Sequence, residues 1–243
     1  MENFKNIGNL NFNFIELNSK KSKDFDEILS SSFMNCILYE IMNTNNIELF
    51  SKFIKIDENK NDLLPHQNNI LKLMNENSSN SFLNIWSRRQ GYSTMLAIYL
   101  LYQALINKEQ MLIFVSSISN ADYLNDKINY IYNNLPENFK DLGVPHKYTQ
   151  KDIYFSNNSK ICFKSFSHYY DQNIDNLRGR YFDKIIFLDL EPMINNAFFK
   201  FMDDLISLSS SSNVFKQLII NSDSTIPLKF LIKYNNFIKT IVY

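Results

Sequence analysis

Short apolar runs alternate with amphipathic stretches over most of this chain, and the alternation predicts strands and helices in turn. Phe82 to Trp86, Met111 to Ser116, Lys184 to Asp189 and Phe215 to Asn221 have the length and apolar density of buried strands. Between and around them, Pro65 to Met74, Ser93 to about Ile106, about Ala121 to Tyr132 and Asn195 to Leu208 carry apolar residues at helical spacing. Strands alternating with helices predict an α/β fold whose mostly parallel sheet is flanked by helices. Two shorter strands, Ile153 to Phe155 and Lys160 to Phe166, flank Ser156-Asn157-Asn158-Ser159, a hairpin-turn sequence.

This core is expected over residues 62–225. Ahead of it, residues 1–61 are rich in Asn, Lys and Asp, with apolar islands at Phe12 to Leu17 and Ile28 to Phe53. The second island has roughly helical spacing and predicts a small N-terminal helical subdomain. The polar stretches Asn75 to Asn80 and Ser207 to Asn213 read as exposed loops. Residues 226–243 form a C-terminal tail whose structure the pattern leaves open.

The chain has 243 residues, 45% of them hydrophobic and 15% aromatic, which is enough to bury a core and excludes wholesale disorder. Its formal net charge of +0 leaves no global electrostatic footprint for nucleic acid or an anionic membrane, so any DNA contact is local or comes through partners. Cys36 and Cys162 stand far apart with no metal spacing and predict buried free thiols in a reducing compartment. His66, His146 and His168 form no ligand pattern. The start of the chain lacks an apolar signal segment, and no apolar run is long enough for a membrane span, so a soluble intracellular protein is expected.

Candidate chemistry comes from where arginine and glycine fall. All four arginines lie in Ser87-Arg88-Arg89-Gln90-Gly91-Tyr92-Ser93-Thr94 and Leu177-Arg178-Gly179-Arg180, together with two of the four glycines, while every other Lys or Arg is lysine. A planar multi-donor cation beside a backbone without side chain suits a phosphate site. The first segment joins a predicted strand to a predicted helix, the layout of a phosphate-binding loop. Backbone N–H groups at such a helix start attract an anion, and a hydroxyl at Ser93 or Thr94 can ligate Mg²⁺. The string departs from G-x-x-x-x-G-K-[ST], with Trp86 at the first glycine position and Tyr92 at the lysine position. An ordinary strand-to-helix turn capped by Ser93 is the competing reading.

Phe182 to Glu191 has the pattern of a buried strand ending in carboxylates at the edge where α/β sheets bind ligands. Asp189 and Glu191 are the two acids. Side chains alternate faces along a strand and a one-residue slip reverses which acid would meet a metal, so both assignments stay open. Leu218 to Ser224 ends a second predicted strand in small polar groups, as an ordinary polar strand end does; it also resembles the coupling motif of ATP-driven motors, which implies that Asn221 or Ser222 senses a γ-phosphate.

The order of these segments resembles the ATPase domain of the large terminase subunit, the DNA-packaging motor of tailed bacteriophages. The likeness rests on Leu64-Pro65-His66-Gln67-Asn68-Asn69-Ile70-Leu71, on the loop, whose Gly91-Tyr92-Ser93-Thr94-Met95-Leu96 is similar to the lambda-type branch, and on Leu177-Arg178-Gly179 before the acidic strand. The resemblance implies a P-loop NTPase-like fold binding ATP and Mg²⁺. It implies that Gln67 contacts adenine, that Ser87, Arg88, Arg89, Gln90, Gly91, Tyr92, Ser93 and Thr94 surround the phosphates, and that Ser93 and Asp189 hold the metal. Arg88 or Arg89 stands in for the missing lysine. The other, and Arg178, serve as arginine fingers, with Asp189 and Glu191 as the catalytic acids. Implied partners are double-stranded DNA and a portal protein, with a small terminase subunit and a separate nuclease chain as further candidates. The assembly would be a homo-oligomeric ring in the host cytoplasm, without membrane contact and without the family's nuclease domain. A degenerate, non-catalytic paralogue and a helicase-like P-loop protein are the alternatives.

Overall fold

Along the central strands, successive apolar residues divide between two hydrophobic layers, as strands buried on both faces require. Met111, Ile113 and Val115 point into one layer and Leu112 and Phe114 into the other, as do Ile186 and Leu188 against Ile185 and Phe187. The computed structural model describes residues 23–56, 63–76, 81–86, 91–148, 152–166, 177, 180–212, 214–223 and 227–242.

Among these residues the strands are β1 (Phe82–Trp86), β2 (Gln110–Val115), β3 (Pro145–Tyr148), β4 (Asp152–Phe155), β5 (Lys160–Ser165), β6 (Phe182–Phe187), β7 (Phe215–Asp223) and β8 (Lys239–Val242). They form one sheet in the order β3-β4-β5-β2-β6-β7-β1-β8. From β5 through β8 every pairing is parallel, and β3 and β4 add an antiparallel edge. The expected α/β architecture, with a mostly parallel sheet flanked by helices, is what the chain adopts.

Helices α1 (Lys23–Thr44), α2 (Ile47–Ser51), α3 (Pro65–Glu76), α4 (Tyr92–Leu105), α5 (Ile118–Asn133) and α6 (Glu137–Lys140) contribute to the first layer. Helices α7 (Asn196–Ser212) and α8 (Leu228–Tyr234) cover the other. Helix α4 lies at the centre, with every residue from Met95 to Leu105 buried. Below it, Lys184 of β6 is 1% exposed and pairs with Glu109 at 3.0 Å. Burial pushes the Glu109 carboxyl up and the Lys184 ammonium down, each against the pull of the other.

Several expectations need correction. Ser207 to Ser212 is helix and not loop, because the apolar stripe of Phe198, Phe201, Met202 and Leu205 anchors α7 and the serines prolong it. Residues 75 and 76 belong to α3. Of the two cysteines only Cys162 is buried, whereas Cys36 is exposed on α1. The tail supplies α8 and then β8, which pairs with β1. The pattern also missed α6 and β3, each too short to show a period. The apolar island at Phe12 to Leu17 lies outside the described residues.

Candidate functional site

The site is built where β1 gives way to α4. Ser87, Arg88, Arg89 and Gln90 lie outside the described residues, and the description resumes at Gly91, the N-cap of α4. Gly91 has φ +76°, a left-handed conformation that glycine adopts without penalty, and its carbonyl accepts from the N–H groups of Thr94 and Met95 at 3.1 and 3.2 Å. Directly against it stands Gln67, whose side-chain nitrogen occupies the space a Cβ on residue 91 would need. Gln67 is 4% exposed, and its Oε1 accepts from the Leu64 N–H at 2.9 Å. With Pro65 opening the helix, that bond is the back-reaching half of a capping box. The Leu64 to Leu71 segment is thereby fixed at its helix start and locked to the glycine.

Tyr92 begins α4, and its buried phenol is pushed well above the ordinary tyrosine range, first by desolvation and then by the charge of Asp189. It therefore stays neutral and brings no cation to the position where the usual loop has lysine. Ser93 and Thr94 follow, both half-buried. Thr94 Oγ1 accepts from Lys127 Nζ of α5 at 3.0 Å.

Strand β6 stops at Phe187, two residues earlier than expected, and this changes the reasoning about the acids. Leu188 N still bonds Phe114 O at 2.8 Å, but Asp189 then turns left-handed with φ +56° and is exposed. Aspartate is one of the few residue types that enter this region readily. Leu190 turns back into the core, its N–H bonded to Asn221 O at 3.0 Å, and Glu191 opens a 3-10 turn, Glu191–Met193. Strand alternation consequently does not decide between the acids, since both lie past the strand end. The Glu191 side chain is outside what the structure describes. Asp189 Oδ2 accepts from Asn120 Nδ2 at 2.9 Å, and Asn120 also donates to Ser116 Oγ at 3.1 Å.

Asn120 and Lys127 are the contributors that sequence reasoning missed. They are seven residues apart on α5, two turns or roughly 10 Å, and so share a face. One end of that face holds the acid after β6 and the other meets the first turn of α4. Neither residue is unusual for an exposed helix edge, and only the packing of α5 against α4 singles them out.

Asn221 does not present its side chain to a ligand. It is buried, accepts from Asn84 Nδ2 at 3.0 Å and donates to Phe187 O at 3.2 Å, joining β1, β7 and β6. Ser222 Oγ is buried without a hydrogen-bond partner among the described residues. Arg178 and Gly179 are outside those residues. Leu177 is buried, and Arg180 is exposed two residues ahead of β6, whose length of about 20 Å lies between it and Asp189. No group of three His, Cys, Asp or Glu able to hold a metal occurs among the described residues. As donor types, a hydroxyl such as that of Ser93 and a carboxylate such as that of Asp189 are ones Mg²⁺ accepts, since it takes one or two protein oxygens and completes its shell with phosphate and water. Among the described residues, no helix is long and apolar enough to cross a membrane.

Solved large terminases share this fold. The HK97 bacteriophage large terminase matches over 82% of this chain and 43% of its own, with a TM-score of 0.59 and 15% identity. The large terminase from a thermophilic bacteriophage matches over 74% and 45%, with a TM-score of 0.52 and 11% identity. The same terminase in complex with ADP matches over 75% and 45%, with a TM-score of 0.51 and 11% identity. The chain thus spans less than half the length of these proteins. No family model and no curated protein sequence matches it.

Proposed function

We propose that this chain is the ATPase domain of a viral DNA-packaging motor of the terminase kind, acting on double-stranded DNA with a portal protein. One observation carries the reading: on a fold shared with large terminases, one face of α5 links Asp189, held by Asn120 at 2.9 Å, to the first turn of the Gly91-headed helix, where Lys127 meets Thr94 at 3.0 Å. A phosphate chain laid on α4 would meet backbone N–H groups at one side and, at the other, a carboxylate that could hold the Mg²⁺ offsetting the phosphate charge.

In this proposal Gln67 supports the loop by filling the space beside Gly91, and the Ser87 to Thr94 segment cradles the phosphates of ATP. Ser93 and Asp189 are the oxygens for Mg²⁺, which would neutralise charge on the phosphates. Glu191, two residues on at the start of the 3-10 turn, orients the attacking water. Asn120 fixes the Asp189 carboxylate against rotation. Arg88 or Arg89 reaches the phosphates, and Arg178 completes a neighbouring subunit's site in a homo-oligomeric ring. A small terminase subunit and a separate nuclease chain are the further partners this reading admits, and the host cytoplasm is its location.

The neutral phenol of Tyr92 favours one competing reading, a non-catalytic paralogue that keeps the fold. Calorimetric titration of the chain with ATP in the presence and absence of Mg²⁺ separates them. Mg²⁺-dependent binding supports the motor, and absence of binding at millimolar nucleotide supports the scaffold.

A further inference from the structure

Alongside the first turn of α4 lies a cleft of about 510 Å³, lined by Ile56, Thr94, Tyr123, Asp126, Lys127 and Tyr130. Its volume is in the range of small-ligand sites, and its lining combines aliphatic and tyrosine side chains with the polar Thr94, Asp126 and Lys127. Tyr123 is 56% exposed and Tyr130 36%, so both rings offer a face to an incoming planar group. Lys127 Nζ stands over the Tyr123 ring at 5.1 Å from its centroid and bonds Thr94 Oγ1 at 3.0 Å, so the cation sits at the junction of cleft and loop helix.

We infer that Lys127 supplies a phosphate-binding cation from outside the loop, in addition to the Arg88 or Arg89 of the proposed site, and that the tyrosine cleft beside it receives the nucleoside of the same nucleotide. This rests on the proposed nucleotide site and names its second half. A lysine arriving from α5 brings charge to the first turn of α4 from the side, next to the position where Tyr92 is neutral. A phosphate oxygen replacing or joining Thr94 Oγ1 on the ammonium gains a charge-assisted bond, stronger than the hydroxyl contact it modifies. The carboxylate of Asp126 tells against a bare anion as the ligand, since it would repel one. It suits ribose hydroxyls instead, which donate to a carboxylate. A base against Tyr123 or Tyr130 gains ring contact that a free phosphate lacks.

The test is calorimetric titration of the unaltered chain, Lys127→Met, Lys127→Arg and Tyr123→Ala with Mg-ATP and with sodium tripolyphosphate, each variant checked by thermal melting. Lys127→Met should weaken both ligands by about tenfold or more, and Lys127→Arg should restore most of that loss because it restores the charge. Tyr123→Ala should weaken ATP severalfold and leave tripolyphosphate unchanged. Unaltered affinity in Lys127→Met, or an equal loss in Lys127→Arg, overturns the role of Lys127. An ATP affinity unmoved by Tyr123→Ala overturns the cleft. If Lys127→Met does not fold, the arginine variant and the Tyr123 comparison decide the question. Failure of the unaltered chain to bind either ligand overturns the nucleotide site itself, an outcome distinct from all of these.

Discussion

Gln67 and Gly91 are locked by shape, because the side-chain nitrogen of Gln67 fills the place where residue 91 would carry a Cβ. Gly91→Ala therefore meets two obstacles, the contact with Gln67 and the left-handed φ of +76°. The second alone costs about 1–2 kcal/mol. Thermal unfolding should show that loss, and calorimetry should show weaker ATP binding as the loop is displaced. Adding Gln67→Ala should relieve the contact but not the backbone cost, so the double variant recovers only part of the stability. Full recovery would mean that the φ requirement is absent.

Asp189 and Glu191 are separable by mutation. Asp189→Asn should lower ATP turnover on the order of a hundredfold or more. Asn120→Ala leaves the carboxylate present but unanchored at its Oδ2 and should cost severalfold in turnover with little change in ATP affinity. Glu191→Gln should abolish turnover while nucleotide still binds. If Asp189→Asn also binds ATP normally with Mg²⁺, the metal-holding role belongs to Glu191.

How far the sequence revealed this arrangement follows from the kind of signal each part carries. The four central strands were legible because parallel strands covered on both faces must be apolar throughout, as in Ile185-Ile186-Phe187. Gly91 was legible because a positive φ at a strand-to-helix turn selects glycine. The end of β6 was not, since Leu188 is as apolar as the strand before it and the left-handed turn at Asp189 leaves no mark that an aspartate at a strand end would lack. Lys127 and Asn221 were misjudged or missed for a common reason: what they touch lies on other elements, at Thr94 and at Asn84.

The buried pair Lys184 and Glu109 gives a stability prediction independent of nucleotide. Glu109→Ala leaves the Lys184 ammonium buried without its partner and should cost about 3 kcal/mol. The double change to Lys184→Met and Glu109→Leu should recover much of that loss. Because burial lowers the folded-state pKa of Lys184, the unfolded chain binds more protons between that lowered value and the ordinary lysine value of about 10.4. Unfolding free energy of the unaltered chain relative to Lys184→Met should therefore rise with pH through that window. A flat difference would show that Lys184 keeps its ordinary pKa.

Isolated chains should turn ATP over slowly, and assembly should accelerate them, because the proposed site takes an arginine from a neighbouring subunit. Such a residue contributes on the order of a thousandfold or more in rate. Arg180 lies just ahead of β6 and Asp189 just past its far end, so about a strand length, roughly 20 Å, separates them. The proposal gives Arg178 to the site of a neighbouring copy. Mixing experiments test this directly. Arg178→Ala and Asp189→Asn chains, each inactive when assembled alone with portal and DNA, should regain part of the turnover when mixed, since an intact Asp189 can then meet an intact Arg178 across an interface. If the mixture is no more active than its components, the arginine acts within its own chain. If Arg178→Ala assembles with full turnover, the finger is Arg88 or Arg89, and the same complementation with those variants identifies which.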